Sequence, residues 1–433
     1  MFKSKLRFLL ILLIVPVLYL GWEQWLLRVP QPLPQRSAIA THSTLPIFPG
    51  DYAEVTIPPA SGDQYKSAEY RLWVPAGVPI LRGLLFKLHG CGDEAAEAGL
   101  NHANDLQWQA LAVKHQLALM AAKFPTRDPV CDDWGYIDRG SGRAFLKALQ
   151  SFAQKSGHPE LDQVPWVLWG HSNGAEWVTQ MVRKYPERTI AAVTVRCGGY
   201  TFPSGLDRQI LGIPLLWTEG EKDPYNDFCL KPSQQVFGRY RQAGALWTYA
   251  VAANTAHEAG DTRFLAIPYL DAMLTARLAA PGTPLRPVEA TQGWLGDPKN
   301  HAIAPIPQYQ GNPLEAAWLP NQETARKWQQ YVTKGKISPT QKPAAPTDVR
   351  VTRIGATEAV VTWHFMPDLE NGLPSFRIYR NQALIQTLQG QGHNFGDAPK
   401  PPQVVLEYRD QQAPPNATYR VAAFNSVGES VFQ

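Results

Sequence analysis

Trp169-Gly170-His171-Ser172-Asn173-Gly174 follows the apolar run Val164–Leu168 and precedes a helical pattern over Ala175–Lys184. A Gly-x-Ser-x-Gly pentapeptide set between a strand and a helix is the sequence form of a nucleophile elbow. A serine on so sharp a turn has a strained backbone and crowded neighbours. Gly170 and Gly174 remove side-chain bulk on either side, and the hydroxyl then stands above the sheet edge.

Two partners follow in the order such an elbow requires, an acid and then a histidine. The apolar run Ile213–Trp217 leads into Thr218-Glu219-Gly220-Glu221-Lys222-Asp223. A carboxylate just after a strand lies at the carboxyl edge of the sheet, where open α/β sheets hold their ligands. The strand-like Leu246–Val251 then runs into Ala252-Ala253-Asn254-Thr255-Ala256-His257. His257 is placed to take the Ser172 proton and Asp223 to orient and balance the imidazole. Each also has a plainer reading: Asp223 as a helix cap, with Asp227 a second acid four residues on, and His257 as a surface loop residue.

A third element is the run Gly83–Leu88, which reads as a buried strand ending in His89-Gly90-Cys91-Gly92. Small residues there let backbone N–H groups approach a developing oxyanion. The expected donors are the amides of Asn173 and of Cys91. His89 is expected to make a structural hydrogen bond beside this turn.

On these motifs, residues 50–280 resemble the α/β-hydrolase fold: a mostly parallel sheet covered by helices on both faces. The His-Gly-Cys turn, the Gly-His-Ser-Asn-Gly elbow and the cysteines are most similar to the polyhydroxybutyrate depolymerase and feruloyl esterase-like branch. The resemblance implies a serine esterase with Ser172, Asp223 and His257 as catalytic residues and no metal or organic cofactor. In the His-Gly-Gly-Gly motif of lipases and esterases a glycine stands where this chain has Cys91.

The four cysteines, Cys91, Cys131, Cys197 and Cys229, follow core strands and suit an oxidising compartment. Three pairings are open. Cys91–Cys131 and Cys197–Cys229 are preferred, because each joins loops from neighbouring strands. No Cys-x-x-Cys or tight Cys/His cluster suggests zinc.

The N-terminus has Lys3, Lys5 and Arg7 ahead of the apolar run Phe8–Leu20. Residues 1–28 therefore read as a signal peptide or an uncleaved membrane anchor, and 29–49 as a linker. Either puts the body outside the cytoplasm, periplasmic or secreted. The formal net charge of +4, with no basic cluster past the N-terminus, argues against nucleic acid as a partner.

Alternating apolar runs and helical patterns fill the rest of 50–280, and the loop Pro125–Gly140, with Trp134 and Tyr136, is either a substrate wall or surface packing. Residues 281–343 are rich in Pro, Gln and Gly and read as an extended connector with one helix, Glu323–Val332, whose Trp328 and Tyr331 can dock on a neighbour. From 344 to 433 the pattern is all-β, with strands expected at Val349–Arg353, Ala359–Trp363, Phe376–Arg380, Val404–Tyr408 and Tyr419–Ala423. Trp363 and Tyr419 make this part resemble a fibronectin type III sandwich, a module that contacts polymer or cell surface in extracellular enzymes. It is expected to fold apart from the catalytic body. The partner expected for the whole is an ester, polymeric or small. A secreted serine peptidase of the same fold and a non-catalytic adhesion or scaffold protein are the alternatives.

Overall fold

A computed structural model describes residues 47–125, 133–401 and 406–432. The expected N-terminal segment 1–28, nearly all of the 29–49 linker, Cys131, and the start of the Val404–Tyr408 strand lie outside these residues. Among the described residues no helix is long and apolar enough to cross a membrane. The described residues pack as one compact unit.

Eight strands form the central sheet: β1 (Gly50–Ile57), β2 (Ala68–Pro75), β3 (Gly83–Leu88), β4 (Leu117–Lys123), β5 (Trp166–His171), β6 (Thr189–Val195), β7 (Leu215–Gly220) and β8 (Trp247–Ala252). Their order is β1-β2-β4-β3-β5-β6-β7-β8. β2 is antiparallel to both neighbours, and every other pairing is parallel. All residues of β3, β5, β6 and β7 are buried, which requires cover on both faces and explains their near-continuous apolar sequences. The arrangement fits an α/β-hydrolase fold.

Around the sheet run α1 (Asp93–Glu97), α2 (Leu106–His115), α3 (Ser141–Lys155), α4 (Asn173–Lys184), α5 (Leu230–Gln242) and α6 (Thr262–Arg277). Local sequence sets their ends. Asp105 caps α2 by accepting from the Gln107 and Trp108 amides, and Gln116 closes it in the left-handed region. The chain leaves β3 for β4 on one side and returns to β5 on the other. The carboxyl ends of β3 and β5 therefore flank a topological switch point, the place where such sheets open a crevice.

Residues 281–343 are not an extended connector. They form a small antiparallel sheet, with β9 (Trp294–Gly296) between β10 (Ile303–Pro305) and β11 (Ala317–Leu319), and then α7 (Gln322–Lys334). Burial of Trp318, Trp328 and Tyr331 drives the segment onto the edge of the main sheet. Trp328 Nε1 donates to the Tyr249 carbonyl at 2.8 Å, and the Thr248 hydroxyl donates to the Trp318 carbonyl. Trp328 and Tyr331 thus dock as their composition suggests.

The C-terminal part is a β-sandwich. One sheet holds β12 (Thr347–Arg353), β13 (Ala359–His364) and β16 (Glu407–Asp410). The other holds β15 (Ala383–Leu388), β14 (Ser375–Arg380), β17 (Tyr419–Asn425) and β18 (Gly428–Glu429). Trp363 is buried against Phe376, with ring centres 5.4 Å apart. The Tyr419 hydroxyl donates to Asp410 at 2.6 Å.

The sandwich does not stand apart. The Gln107 side chain donates from Nε2 to the Leu369 carbonyl at 2.9 Å, and the Leu106 backbone amide donates to Gln391 Oε1 at 2.9 Å. Asp397 is buried and ion-paired with Lys87 of β3 and Arg263 of α6. These contacts tie the sandwich to the body that carries Ser172.

Candidate active site

Ser172 lies between β5 and α4 with φ 54° and ψ −118°, a conformation rare for any residue but glycine. The flanking glycines make it feasible. A Cβ on Gly170 would stand 2.1 Å from the Gly174 carbonyl oxygen, and one on Gly174 would stand 2.6 Å from that of His89. A side chain at Gly170 would push the first turn of α4 away from β5, and one at Gly174 would push it away from the end of β3.

The loops after β7 and β8 bring the partners. His257 Nδ1 donates to Asp223 Oδ2 at 2.7 Å, which leaves Nε2 as the acceptor for the Ser172 hydroxyl at 2.9 Å. Asp223 is buried, and burial works against its charge. Hydrogen bonds from His257 and the Tyr225 amide, with Arg196 nearby, outweigh burial and hold its pKa below the ordinary value. Asp227 is exposed and pairs with Lys231, so it is not the acid beside His257.

His171, the residue before the serine, is buried and donates from Nε2 to the His257 carbonyl at 2.8 Å. Burial, together with the neighbouring His257, pushes its pKa down to about 3. It is a neutral strut under the loop that carries His257. His89 has the structural role expected of it. Its Nε2 accepts from the Phe124 amide at 2.9 Å, its Nδ1 bonds the Gly90 carbonyl, and burial pushes its pKa down to about 4.

Two other carboxyls brace the strand ends. Glu176 of α4 accepts from the amides of Gly198, Tyr200 and Thr201, and Glu219 of β7 accepts from the Cys197 amide at 3.0 Å. Burial raises both to about 7, against those hydrogen bonds. Cys197 and Cys229 are joined by a disulfide that ties the loops after β6 and β7 together. Cys91 is also disulfide-bonded, while its expected partner Cys131 lies outside the described residues.

Asp223, Cys229 and His257 present ligand atoms within 4.8 Å of one another, as a metal site would. The donor set does not suit one. The Cys229 sulfur is committed to the disulfide, and the His257 nitrogen nearest the acid is protonated and donating.

A cleft of about 800 Å³ opens over Ser172 and His257. Cys91 and Asn173 both line it, so the two expected oxyanion donors share the cavity of the serine hydroxyl. Asn173 is the first residue of α4, the end at which helix N–H groups point outward. Trp134 is no substrate wall: it is buried, stacked on Phe124 and packed against His89.

The remaining lining was not foreseen. Tyr225 and Phe228 follow Asp223, both more than half exposed, and the Tyr225 ring sits 4.8 Å from that of His257. Asn394, Phe395 and Gly396 enter from the sandwich. Near them, Lys87 is buried between Trp108 and Trp169 at 4.4 and 4.5 Å, and Asp397 meets its ammonium at 2.8 Å. Arg263 binds Asp105 at 2.7 Å and Asp397 at 2.6 Å, and His393 lies 3.1 Å from Asp105. The one sequence signal for this cluster was Lys87, a charge inside an apolar strand that demands a buried partner.

No family model matches the chain, and no curated protein sequence matches it. Part of the chain is similar to solved structures. A thermostable esterase is 18% identical over 47% of this chain with a TM-score of 0.35, and the match spans 55% of that protein's length. A ferulic acid esterase is 12% identical over 52% of this chain and 99% of its own, with a TM-score of 0.39. The poly(3-hydroxybutyrate) depolymerase LpqC of Bordetella parapertussis is 16% identical over 52% of this chain and 87% of its own, with a TM-score of 0.35.

Proposed function

We propose that this chain is an exported serine hydrolase that cleaves carboxylic esters through an acyl-Ser172 intermediate. The observation that carries the reading is the relay Ser172 Oγ to His257 Nε2 at 2.9 Å and His257 Nδ1 to Asp223 Oδ2 at 2.7 Å, opening on a cleft. Ser172 Oγ attacks the ester carbonyl as His257 Nε2 takes its proton. The amides of Asn173 and Cys91 stabilise the oxyanion. The tetrahedral adduct collapses, and the alcohol leaves with the proton returned by His257. Water then gives its proton to His257 and attacks the acyl-serine. Collapse releases the carboxylic acid, and His257 returns the proton to Ser172. Asp223 stays ionised throughout and stabilises the imidazolium.

Polyester or feruloyl and aryl esters are the finer substrate reading, supported by the exposed Tyr225, Phe228 and Phe395 around the base. Export is supported by the charged and apolar N-terminal sequence and by the Cys197–Cys229 disulfide. The sandwich is read as a fibronectin type III-like module, on its buried Trp363 and the Tyr419 hydroxyl held by Asp410.

A panel of short aryl esters, feruloyl esters, hydroxybutyrate oligomers and peptides tests the reading. Turnover of esters, lost in Ser172→Ala, is the expected result. Peptide cleavage without ester cleavage would favour a peptidase, and no turnover of any class would favour a scaffold.

A further inference from the structure

The turn that reaches the cleft from the sandwich is held at one end and exposed at the other. At its held end, Asp397 joins Lys87 and Arg263 inside the catalytic body. Without it, two buried cations would face the single carboxylate of Asp105. The turn itself is closed: the Asn394 amide donates to the Ala398 carbonyl at 2.8 Å, and Asn394 Oδ1 accepts from the amides of Gly396 and Ala398 at 3.0 and 2.9 Å. Fixing Asp397 therefore fixes Phe395 two residues earlier.

Phe395 makes a second tie. Its carbonyl accepts from the Ala259 amide at 2.9 Å, in the loop that carries His257. Its side chain is different. The ring is 56% exposed and stands 6.3 Å from the His257 ring and 5.7 Å from that of His171. Tyr225 packs on the same imidazole and is also 56% exposed. A half-exposed phenyl ring on a turn so firmly fixed, lining a cleft, offers apolar contact surface.

We propose that residues 394–397 form a specificity arm for the cleft, with Asp397 as the positioning residue that anchors it and Phe395 as the wall that selects esters bearing an aromatic ring. The inference rests on the hydrolytic reading of Ser172. A flat ring on the substrate gains an offset or edge-on contact with Phe395 that an alkyl chain cannot match.

The test uses the full chain with Phe395→Ala and Phe395→Tyr, assayed on methyl cinnamate and methyl butyrate. In Phe395→Ala the ratio of kcat/KM, aryl over alkyl, falls about fivefold, in line with the loss of one ring–ring contact. The fall is carried by KM rather than kcat, and Phe395→Tyr restores the ratio. Asp397→Asn puts folding at risk, so the Phe395 pair carries the test. An unchanged ratio in Phe395→Ala overturns the arm, as does a wild-type chain that takes a fluorophosphonate on Ser172 yet turns over neither ester. A wild-type chain that neither takes the probe nor turns over either ester fails at the underlying hydrolytic reading instead.

Discussion

The turn that carries Ser172 and the turn that carries Phe395 both line the cleft, but different forces hold them. The elbow is local. Its strain is absorbed by two glycines and by continuous strand and helix on either side, and no charge is needed to keep its shape. The Phe395 turn is long-range. It is moored by Asp397 to Lys87, 310 residues away in sequence, in a cluster that works only while its carboxylates are ionised. On the proposed reading, chemistry is built into the more robust of the two, and selection into the more fragile. Changes at the seam should alter stability and preference before they alter the relay.

The largest expected effect lies in the elbow. Ser172→Ala should lower ester turnover by about 10⁶-fold while leaving the thermal midpoint nearly unchanged, since the glycines shape the turn. Steady-state assays beside calorimetry check both halves of the statement. Next, Asp223→Asn should cost about 10⁴-fold, because the amide favours the wrong His257 tautomer. Asp227→Asn should stay within about twofold, its side chain being exposed on a surface pair with Lys231. Reversal of the two would mean that the acid has been misassigned.

The seam should respond in stability. Asp397→Ala leaves Lys87 and Arg263 short of a counter-charge and should cost about 3–5 kcal/mol in denaturant unfolding. Adding Lys87→Met should return part of that loss, a coupling that a double-mutant cycle would read.

The smallest effects are in pH. Burial opposes ionisation of Asp105 and Asp397, but Arg263 and other charged partners lower both pKa values. Their contribution is present above the unfolded carboxylate value near ~4 and is lost as pH falls through the depressed folded values. Glu176 and Glu219, raised to about 7, act in the opposite sense. The folded chain keeps their protons while the unfolded chain releases them, so stability declines as pH rises from ~4.5 to 7. Thermal midpoints across pH 3–8 should show both limbs, the acid limb shallower in Asp397→Asn and the decline towards pH 7 shallower in Glu219→Gln.

What could be read from sequence follows the same division. Ser172, Asp223 and His257 each follow an apolar run within a few residues, and β3 and α4 match their sequence patterns, because those signals are local. β9, β10 and β11 are three residues each, too short for alternation to register. β15, Ala383–Leu388, is largely exposed and its apolar residues fall on no single face. Phe395 had no signal at all. Its role depends on Asp397 meeting Lys87 and Arg263, a contact that only the folded chain creates.

Ser172 is proposed as a nucleophile activated by His257, and intact mass with peptide mapping after treatment with a fluorophosphonate tests that role. The predicted result is one adduct per chain, on Ser172, abolished in Ser172→Ala and strongly slowed in His257→Ala. A folded wild-type chain that takes no adduct, or takes it on another residue, would contradict the account.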